Sequence, residues 1–249
     1  MKNIKFTLEY EGIRYDGWQR QGNTGNTIQG KLEAVLSRMV GKPVEVHGSG
    51  RTDAGVHALG QVANAKLETD MTAEEVMEYL NEYLPRDMAV TEAQEVPMRF
   101  HSRLLAVSKT YQYRIRTEKR REVFSRNFVW HLGKNLDTAA MERAASYLVG
   151  THDFLPFSSA KKGKKSTVRT VYAIGIQDMG EEVVLTYTGE GFLYHMVRIL
   201  TGTLVEVGLG QRPPEDMRRI LTSGDRREAG IMAPPQGLTL ARVEYADEK

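Results

Sequence analysis

The first hundred residues alternate between the hydrophobic spacing of strands and that of helices. Apolar and polar residues follow a β-strand pattern in four segments: 3–10, 44–48, 61–68 and 88–96. Apolar residues recur at helical spacing in 27–41 and 72–84, and each of these segments opens with a threonine suited to cap a helix. The predicted order of elements is βαββαβ.

The rest of the chain repeats this order more loosely. Strands are predicted at 104–117, 170–177, 182–189 and 237–245, the middle two forming a hairpin. Helices are predicted at 137–150, ended by Gly150, at 191–208, and in the short segment 213–224. We therefore predict an α+β fold with two ferredoxin-like, RRM-like βαββαβ halves and antiparallel-rich sheets.

The predicted domains are an N-terminal half, residues 1–100, and a C-terminal half, residues 101–249. If the long strands at 3–10 and 104–117 are both central, the two sheets join and leave a central cleft suited to RNA. This joining is an inference from strand length alone.

Composition narrows the classes of protein. The 249 residues are 41% hydrophobic and include no cysteine, which excludes disulfides, thiolate nucleophiles and cysteine-zinc sites. No apolar run approaches the roughly 18 residues of a membrane span, and the N-terminus lacks a signal-peptide pattern. We expect a cytoplasmic protein.

The net charge is only +2, but the charges are unevenly distributed. Residues 68–95 carry nine acidic residues and one base, Arg86. Two basic clusters lie elsewhere, among aromatic residues: Arg114, Arg116, Lys119, Arg120, Arg121 and Arg126, then Lys161, Lys162, Lys164, Lys165 and Arg169. Charge runs are usually solvated faces, but basic residues interleaved with aromatic ones favour a polyanionic partner.

The segment GSGRTDAGVHALGQV, residues 48–62, places Asp53 among glycines and small polar residues. It matches neither a dinucleotide fingerprint nor a Walker loop, and the chain has no H-E-x-x-H or G-x-S-x-G motif. No metal site is therefore expected. Asp53 is either a turn-stabilising residue, the commoner case for such a pattern, or a carboxylate presented for nucleophilic or base chemistry.

The same segment strongly resembles the signature of the tRNA pseudouridine synthase A family, whose core is G-R-T-D-A-G-V-H-A. The resemblance continues in order along nearly the whole chain, in FHSRLLAVSKTYQYRI (100–115), GTHDFLPF (150–157), RTV (169–171), GFLYHMVRILTGTLVEVG (191–208) and APPQGLTLARVEY (233–245). It implies a cofactor-independent isomerase that converts uridine to pseudouridine in the anticodon stem-loop of tRNA, at positions 38–40. It also implies a homodimer.

The resemblance also assigns roles to residues. Asp53 corresponds to the catalytic aspartate, and Arg51 to an arginine that helps hold the flipped nucleotide. Tyr111 corresponds to a tyrosine that packs against the uracil, and Arg198 to an arginine that pairs with the aspartate. Such a pairing favours the ionised carboxylate.

Several alternatives stay open. Tyr111 and Tyr113 alternate along a predicted strand, and one or both could be core residues. A structural salt bridge would equally satisfy Arg198 in its apolar helix. His57 and His195 could contact substrate or be buried hydrogen-bonding residues. The lysines 161, 162, 164 and 165 could contact RNA phosphates or be merely solvated.

Two other functions are compatible with the pattern. One is a pseudouridine synthase acting on another RNA. The other is a non-catalytic RNA-binding module, although the aromatic signature of RNA-recognition domains is absent and a carboxylate amid phosphates argues for chemistry.

Overall fold

A computed structural model describes residues 1–22, 24–159, 163 and 166–246. The chain divides into two compact units: Met1–Val107 with Thr239–Lys249, and Ser108–Leu238. Each unit combines helices with a mainly antiparallel sheet, which confirms the predicted α+β class.

The first unit has the predicted βαββαβ order. Its elements are β1 (Lys2–Tyr10), α1 (Ile28–Val40), β2 (Val46–Gly48), β3 (His57–Leu67), α2 (Ala73–Tyr83) and β4 (Met88–Val96). Strand β1 is central and pairs antiparallel with both β3 and β4, and β2 pairs antiparallel with β3. Alternate β1 residues Ile4, Phe6 and Leu8 are fully buried, as a strand with one face on a core requires.

Both helices of this unit begin and end where the sequence predicts. The Thr27 hydroxyl accepts a hydrogen bond from the Gly30 amide, and Gly41 adopts a left-handed conformation after the last turn. Thr72 and Glu75 form a reciprocal capping box at the start of α2. Local side-chain chemistry therefore sets these boundaries.

The second unit is built around the predicted hairpin. Its elements are β5 (Ala106–Arg116), β6 (Trp130–His131), α3 (Thr138–Ser146), β7 (Gly150–Asp153), β8 (Val168–Asp178), β9 (Glu182–Gly189), α4 (Met196–Gly208) and α5 (Asp216–Ser223). The strand order β5-β9-β8-β7 is antiparallel throughout, and β6 pairs parallel with β5. Helix α4 is buried on almost every side, which accounts for its apolar sequence.

The last strand of the chain, β10 (Leu238–Tyr245), belongs largely to the first unit. It pairs parallel with β3, with Thr239 opposite His57 and Leu240 opposite Ala58. Its periodicity predicts a strand correctly, but periodicity does not specify which strand it joins.

Two predicted helix boundaries in the second unit are wrong. Helix α3 ends at Ser146, and Gly150, predicted to stop it, instead begins β7 at a φ of +109°. Helix α4 begins at Met196 rather than at residue 191, because His195 has a φ of +62° and interrupts the helical backbone. The short strands β6 and β7 were not predicted.

Candidate active site

The loop that joins β2 to β3, residues 49–56, carries Asp53 and is called the Asp53 loop below. Within it Thr52 is buried, Asp53 is half-buried and Arg51 is exposed. The Val56 amide donates a hydrogen bond of 3.1 Å to the Asp53 carbonyl, which closes a turn that begins at the aspartate. The loop thus fixes its backbone while the acidic side chain stays partly accessible.

A buried polar network supports the loop from inside the first unit. The Tyr10 hydroxyl lies 2.8 Å from the Thr52 hydroxyl, and the Gln61 amide donates to the Gly50 carbonyl at 3.1 Å. The Ser49 hydroxyl donates to the Gln61 side-chain oxygen at 2.7 Å. Burial raises the pKa of Tyr10 to about 12, only partly offset by its hydrogen bonds to Thr52 and Gln61, so Tyr10 stays protonated at neutral pH.

The segment 12–18 supports the loop from a second side. The Trp18 amide donates to the Thr52 carbonyl at 3.0 Å. A Cβ on Gly17, whose φ is +94°, would lie 2.8 Å from that same carbonyl, and a Cβ on Gly48 would overlap the Trp18 indole ring. Two glycines therefore permit the close packing that holds the Asp53 loop in place.

His57 has a structural contact at the end of this loop. The side chain is buried, and its Nδ1 accepts a hydrogen bond of 3.1 Å from the Gly12 amide. Nδ1 is therefore unprotonated, which places the proton of the neutral imidazole on Nε2. This contact agrees with the interpretation of His57 as a buried hydrogen-bonding residue.

Arg51 lies on the surface of the same loop. Its Nε donates to the Gln19 side-chain oxygen at 3.1 Å, and Gln19 in turn donates to Gln29 of α1 at 2.7 Å. This chain of amides orients the guanidinium while the side chain stays exposed.

Tyr111 lies on β5 in the second unit. Its ring is buried, 7% exposed, and meets Phe192 edge-on with ring centroids 5.4 Å apart. Tyr113, two residues along on the same side of the strand, is fully buried and donates its hydroxyl to the Pro234 carbonyl at 2.7 Å. Tyr113 therefore acts as a core residue, and Tyr111 lies next to it.

Arg198 lies in the first turn of α4 and is buried, 7% exposed. Its Nε donates to the Ala233 carbonyl at 2.8 Å, and the Ala233 amide donates to the Arg198 carbonyl at 3.0 Å. Burial raises the pKa of Tyr113, and the positive charge of Arg198 opposes that shift, so the guanidinium lies near this hydroxyl. A buried cation is thus held rigidly by backbone contacts from residue 233.

His195 precedes α4 in the strained left-handed conformation already noted. Its Nδ1 lies 2.9 Å from the Ser159 hydroxyl, and its ring lies against Tyr194 with centroids 3.6 Å apart and an interplanar angle of 31°. Non-glycine residues at positive φ are uncommon and mark positions that the surrounding structure enforces. The sequence gives no signal of this conformation.

The candidate residues divide between the two units. Asp53 and Arg51 share one loop of the first unit, and Tyr111 and Arg198 belong to the second. Lys161, Lys162, Lys164 and Lys165 lie outside the described residues. The supporting residues Tyr10, Trp18 and Gln61 were missed, because their role depends on contacts distant in sequence.

Among the described residues, no helix is both long and apolar enough to span a bilayer.

Comparison with known proteins identifies the family. The model of a family described as tRNA pseudouridine synthase matches residues 7–103 and 144–246. A protein of Bacillus sp. (strain KSM-64) named tRNA pseudouridine synthase A is 52% identical over 245 residues, covering 98% of this chain and all of that protein. A protein of Bacillus cereus (strain ZK / E33L) named tRNA pseudouridine synthase A 2 is 46% identical with the same coverage.

Among solved structures, a chain of a Cbf5-Nop10-Gar1 complex aligns with a TM-score of 0.42 at 14% identity, covering 98% of this chain and 51% of that one. The family model matches well over half of the chain, and both Asp53 and Arg198 fall inside the matched residues. This chain belongs to the tRNA pseudouridine synthase family.

Proposed function

We propose that this chain isomerises uridine to pseudouridine in the anticodon stem-loop of tRNA, at positions 38–40. The observation that carries the proposal is the full-length match to proteins named tRNA pseudouridine synthase A, at up to 52% identity. The rigidly supported, partly accessible carboxylate of the Asp53 loop adds a group suited to the chemistry.

The reaction conserves all atoms of the nucleotide. The N–C glycosidic bond breaks, the uracil turns, and a C–C bond forms to the same sugar carbon. The ring carbon that forms this bond loses its proton, and the released ring nitrogen gains one. The isomerisation is therefore redox-neutral, and we propose that it needs no cofactor.

We assign the catalytic carboxylate to Asp53. It acts on the sugar either by attacking C1′ or by removing a proton to give a glycal intermediate, and both routes need an ionised carboxylate. We assign to Arg198 the cation that favours this ionised form. Its buried guanidinium, oriented by the Ala233 carbonyl, supports that role.

We assign Tyr111 to the uracil and Arg51 to the flipped nucleotide. Extracting a stacked base costs a few kcal/mol, and stacking on an aromatic ring returns about 1–3 kcal/mol. The edge-on contact with Phe192 supports a fixed orientation of the Tyr111 ring. The exposed, amide-oriented guanidinium of Arg51 supports a contact with phosphate or base.

The proposal also covers tRNA binding, oligomeric state and cellular location. We propose that Lys161, Lys162, Lys164 and Lys165 contact tRNA phosphates, that the enzyme acts as a homodimer, and that it works in the cytoplasm, where tRNA is modified. Replacing the four lysines by serine is expected to flatten the salt dependence of tRNA affinity. Sedimentation of the purified chain with and without tRNA tests the dimer.

The function is tested directly with labelled tRNA. A prefolded transcript carrying tritium on uridine C5 releases that tritium to water only when the carbon forms the new bond. We expect release equivalent to the uridines at positions 38–40, and none when those positions are replaced by cytidine. Release from a different RNA but not from tRNA would favour the other synthase, and binding without release from any RNA would favour the RNA-binding module.

A further inference from the structure

The loop that joins β5 to β6 exposes an aromatic ring. Phe124 is 94% exposed and its neighbour Val123 is 62% exposed. We call residues 119–126 the Phe124 loop. A phenylalanine ring this exposed gains nothing from folding, and its apolar surface is available for contact with another molecule.

The basic residues around this ring divide into two groups. Arg114 donates to Glu182 at 2.8 Å, and the buried Arg116 donates to Glu122 at 3.0 Å and to Glu181 at 2.7 Å. These two arginines are used within the protein. Four further cations of the cluster are exposed: Lys119, Arg120, Arg121 and Arg126.

The acidic residues of the segment, Glu118 and Glu122, accept hydrogen bonds from other groups of the protein. Glu118 accepts a hydrogen bond from the Arg120 amide at 3.2 Å, and this bond holds the pKa of the Glu118 carboxyl below its usual range. Glu122 accepts from the Ser125 hydroxyl at 2.9 Å as well as from Arg116. Both carboxylates thus make contacts within the protein, and the exposed face carries four cations, one aromatic ring and the paired carboxylate of Glu122.

The base of the loop is firmly attached to the sheet. The amides of Leu132 and Gly133 both donate to the Arg116 carbonyl, at 3.0 and 3.2 Å. A recess of about 300 Å³ lies beside the ring, and its lining consists of Arg116, Arg120, Arg121, Glu122, Val123, Phe124 and Glu181. Both lining carboxylates, Glu122 and Glu181, are paired with Arg116. The aromatic ring and the remaining guanidinium groups therefore suit a planar ligand that carries negative charges beside its ring.

We propose that the Phe124 loop binds an unpaired nucleotide of the tRNA, at a place distinct from the reacting uridine. The base stacks on Phe124, and the exposed guanidinium groups contact the flanking phosphates. Arg116 follows Tyr111 by five residues of extended strand, a rise of roughly 17 Å, so the loop binds a different nucleotide from the one at Tyr111. This inference rests on the proposed function only for the identity of the RNA.

The positive charge of the Phe124 loop favours RNA over a protein as its ligand. A protein partner would require acidic groups opposite three arginines and a lysine, whereas RNA supplies a phosphate at every nucleotide and a π-face at every base. The loop also lies between the two stretches that the family model matches, residues 7–103 and 144–246. The family assignment therefore gives it no role.

The test measures tRNA affinity by filter binding, independently of turnover. We expect Phe124→Ala to weaken binding about 10-fold, and Phe124→Trp, which keeps an aromatic face, to bind like the unmodified chain. The double variant Arg120→Ser with Arg121→Ser is expected to reduce the slope of log affinity against log salt by about 0.7 for each phosphate that the two arginines bind. Thermal melting of each variant confirms that the fold is kept.

Tyr83→Ala provides the matched control. Tyr83 is an exposed aromatic residue, 40% exposed, in the acidic stretch 68–95, so its removal is expected to leave tRNA affinity unchanged. If Phe124→Ala binds tRNA as the unmodified chain does, or if Phe124→Trp binds as poorly as Phe124→Ala, the proposal is wrong. Weaker binding accompanied by a change in sedimentation would instead identify the loop as a contact between protein copies, and also overturns it.

Failure of the proposed function gives a different result. In that case the unmodified chain releases no tritium from tRNA, while the binding difference between Phe124→Ala and Phe124→Trp can still be measured.

Discussion

The Asp53 loop, which joins β2 to β3, and the Phe124 loop, which is part of the connection from β5 to β6, each contain eight residues, yet they are built in opposite ways. In the Asp53 loop the backbone is held by Tyr10, Gln61 and Trp18, and little beyond Asp53, Ala54 and Arg51 reaches the surface. In the Phe124 loop the base is fixed, but the side chains from 119 to 124 are all exposed. One loop fixes a single acid, and the other displays a ring and cations.

The difference follows from what each proposed role requires. A catalytic group must sit within a fraction of an ångström of the reacting atom, because a displacement of 1 Å can cost about 100-fold in rate. Stacking and phosphate contacts tolerate adjustment, since every base has a π-face and every nucleotide a charge. A catalytic loop therefore needs a rigid backbone, whereas a loop that binds RNA needs exposed side chains.

The largest effect is expected from Asp53→Asn. Asparagine keeps the shape and the turn-forming ability of aspartate but not its negative charge. We expect the single-turnover rate on tRNA to fall by several powers of ten, each worth about 1.4 kcal/mol of barrier, with folding unchanged. A near-normal rate would leave Asp53 as a turn-stabilising residue.

The next effect tests the support of the Asp53 loop. A methyl group at Gly48 would overlap the Trp18 ring, so Gly48→Ala is expected to displace the loop, to destabilise the fold by about 1–3 kcal/mol, and to slow turnover about 100-fold. Gly22→Ala is the control, because no atom lies within 4 Å of a Cβ at that position. Equal rates for the two variants would show that the packing does not position Asp53.

A smaller effect is expected from Tyr10→Phe, which removes the hydroxyl next to Thr52. Losing a buried hydrogen bond costs about 1–3 kcal/mol of unfolding free energy, and we expect turnover to fall about 10-fold with tRNA affinity kept. Chemical denaturation and single-turnover assays measure the two quantities. Tyr172→Phe, at an exposed tyrosine, is the control.

Tyr10 also predicts an alkaline loss of stability. Its pKa is raised to about 12 in the folded chain, so the unfolded state releases this proton near pH 10 and the folded state only near pH 12. The contribution of Tyr10 to the free energy of unfolding is therefore fully present below pH 10. Between pH 10 and pH 12 it falls by about 1.4 kcal/mol per pH unit. The Tyr10→Phe variant should fall less steeply, and an identical slope would contradict the account.

The smallest effect is expected from chelation. Because the isomerisation is redox-neutral and conserves all atoms, exhaustive treatment of the enzyme with a chelator should leave turnover of a prefolded tRNA unchanged. Magnesium is supplied only to fold the RNA beforehand. Loss of turnover that one transition metal restores would overturn this mechanism.

The sequence predicts well wherever local chemistry sets the structure. The capping box of Thr72 and Glu75 and the caps of α1 mark helix ends through neighbouring residues, and β4 spans the predicted residues 88–96. The aspartate motif likewise lies in one short stretch, which is why Asp53 can be singled out.

Prediction fails where distant contacts or rare conformations decide. The apolar run from 191 indicates a helix, but His195 at a φ of +62° delays α4 to Met196. The pairing of β10 with β3 joins residues about 180 positions apart along the chain. The network under the Asp53 loop, from Tyr10 to Gln61, has the same origin and could not be inferred from spacing.

The measurement that tests the central claim most directly is the single-turnover rate as a function of enzyme concentration, for Asp53→Asn and Phe124→Ala on the same tRNA. It yields a maximal rate and a half-saturating concentration for each variant. We predict that Asp53→Asn loses the maximal rate by several powers of ten at unchanged half-saturation, and that Phe124→Ala raises half-saturation about 10-fold at an unchanged maximal rate. A variant in which the maximal rate falls and the half-saturating concentration also rises would contradict the division of chemistry and binding between the two loops.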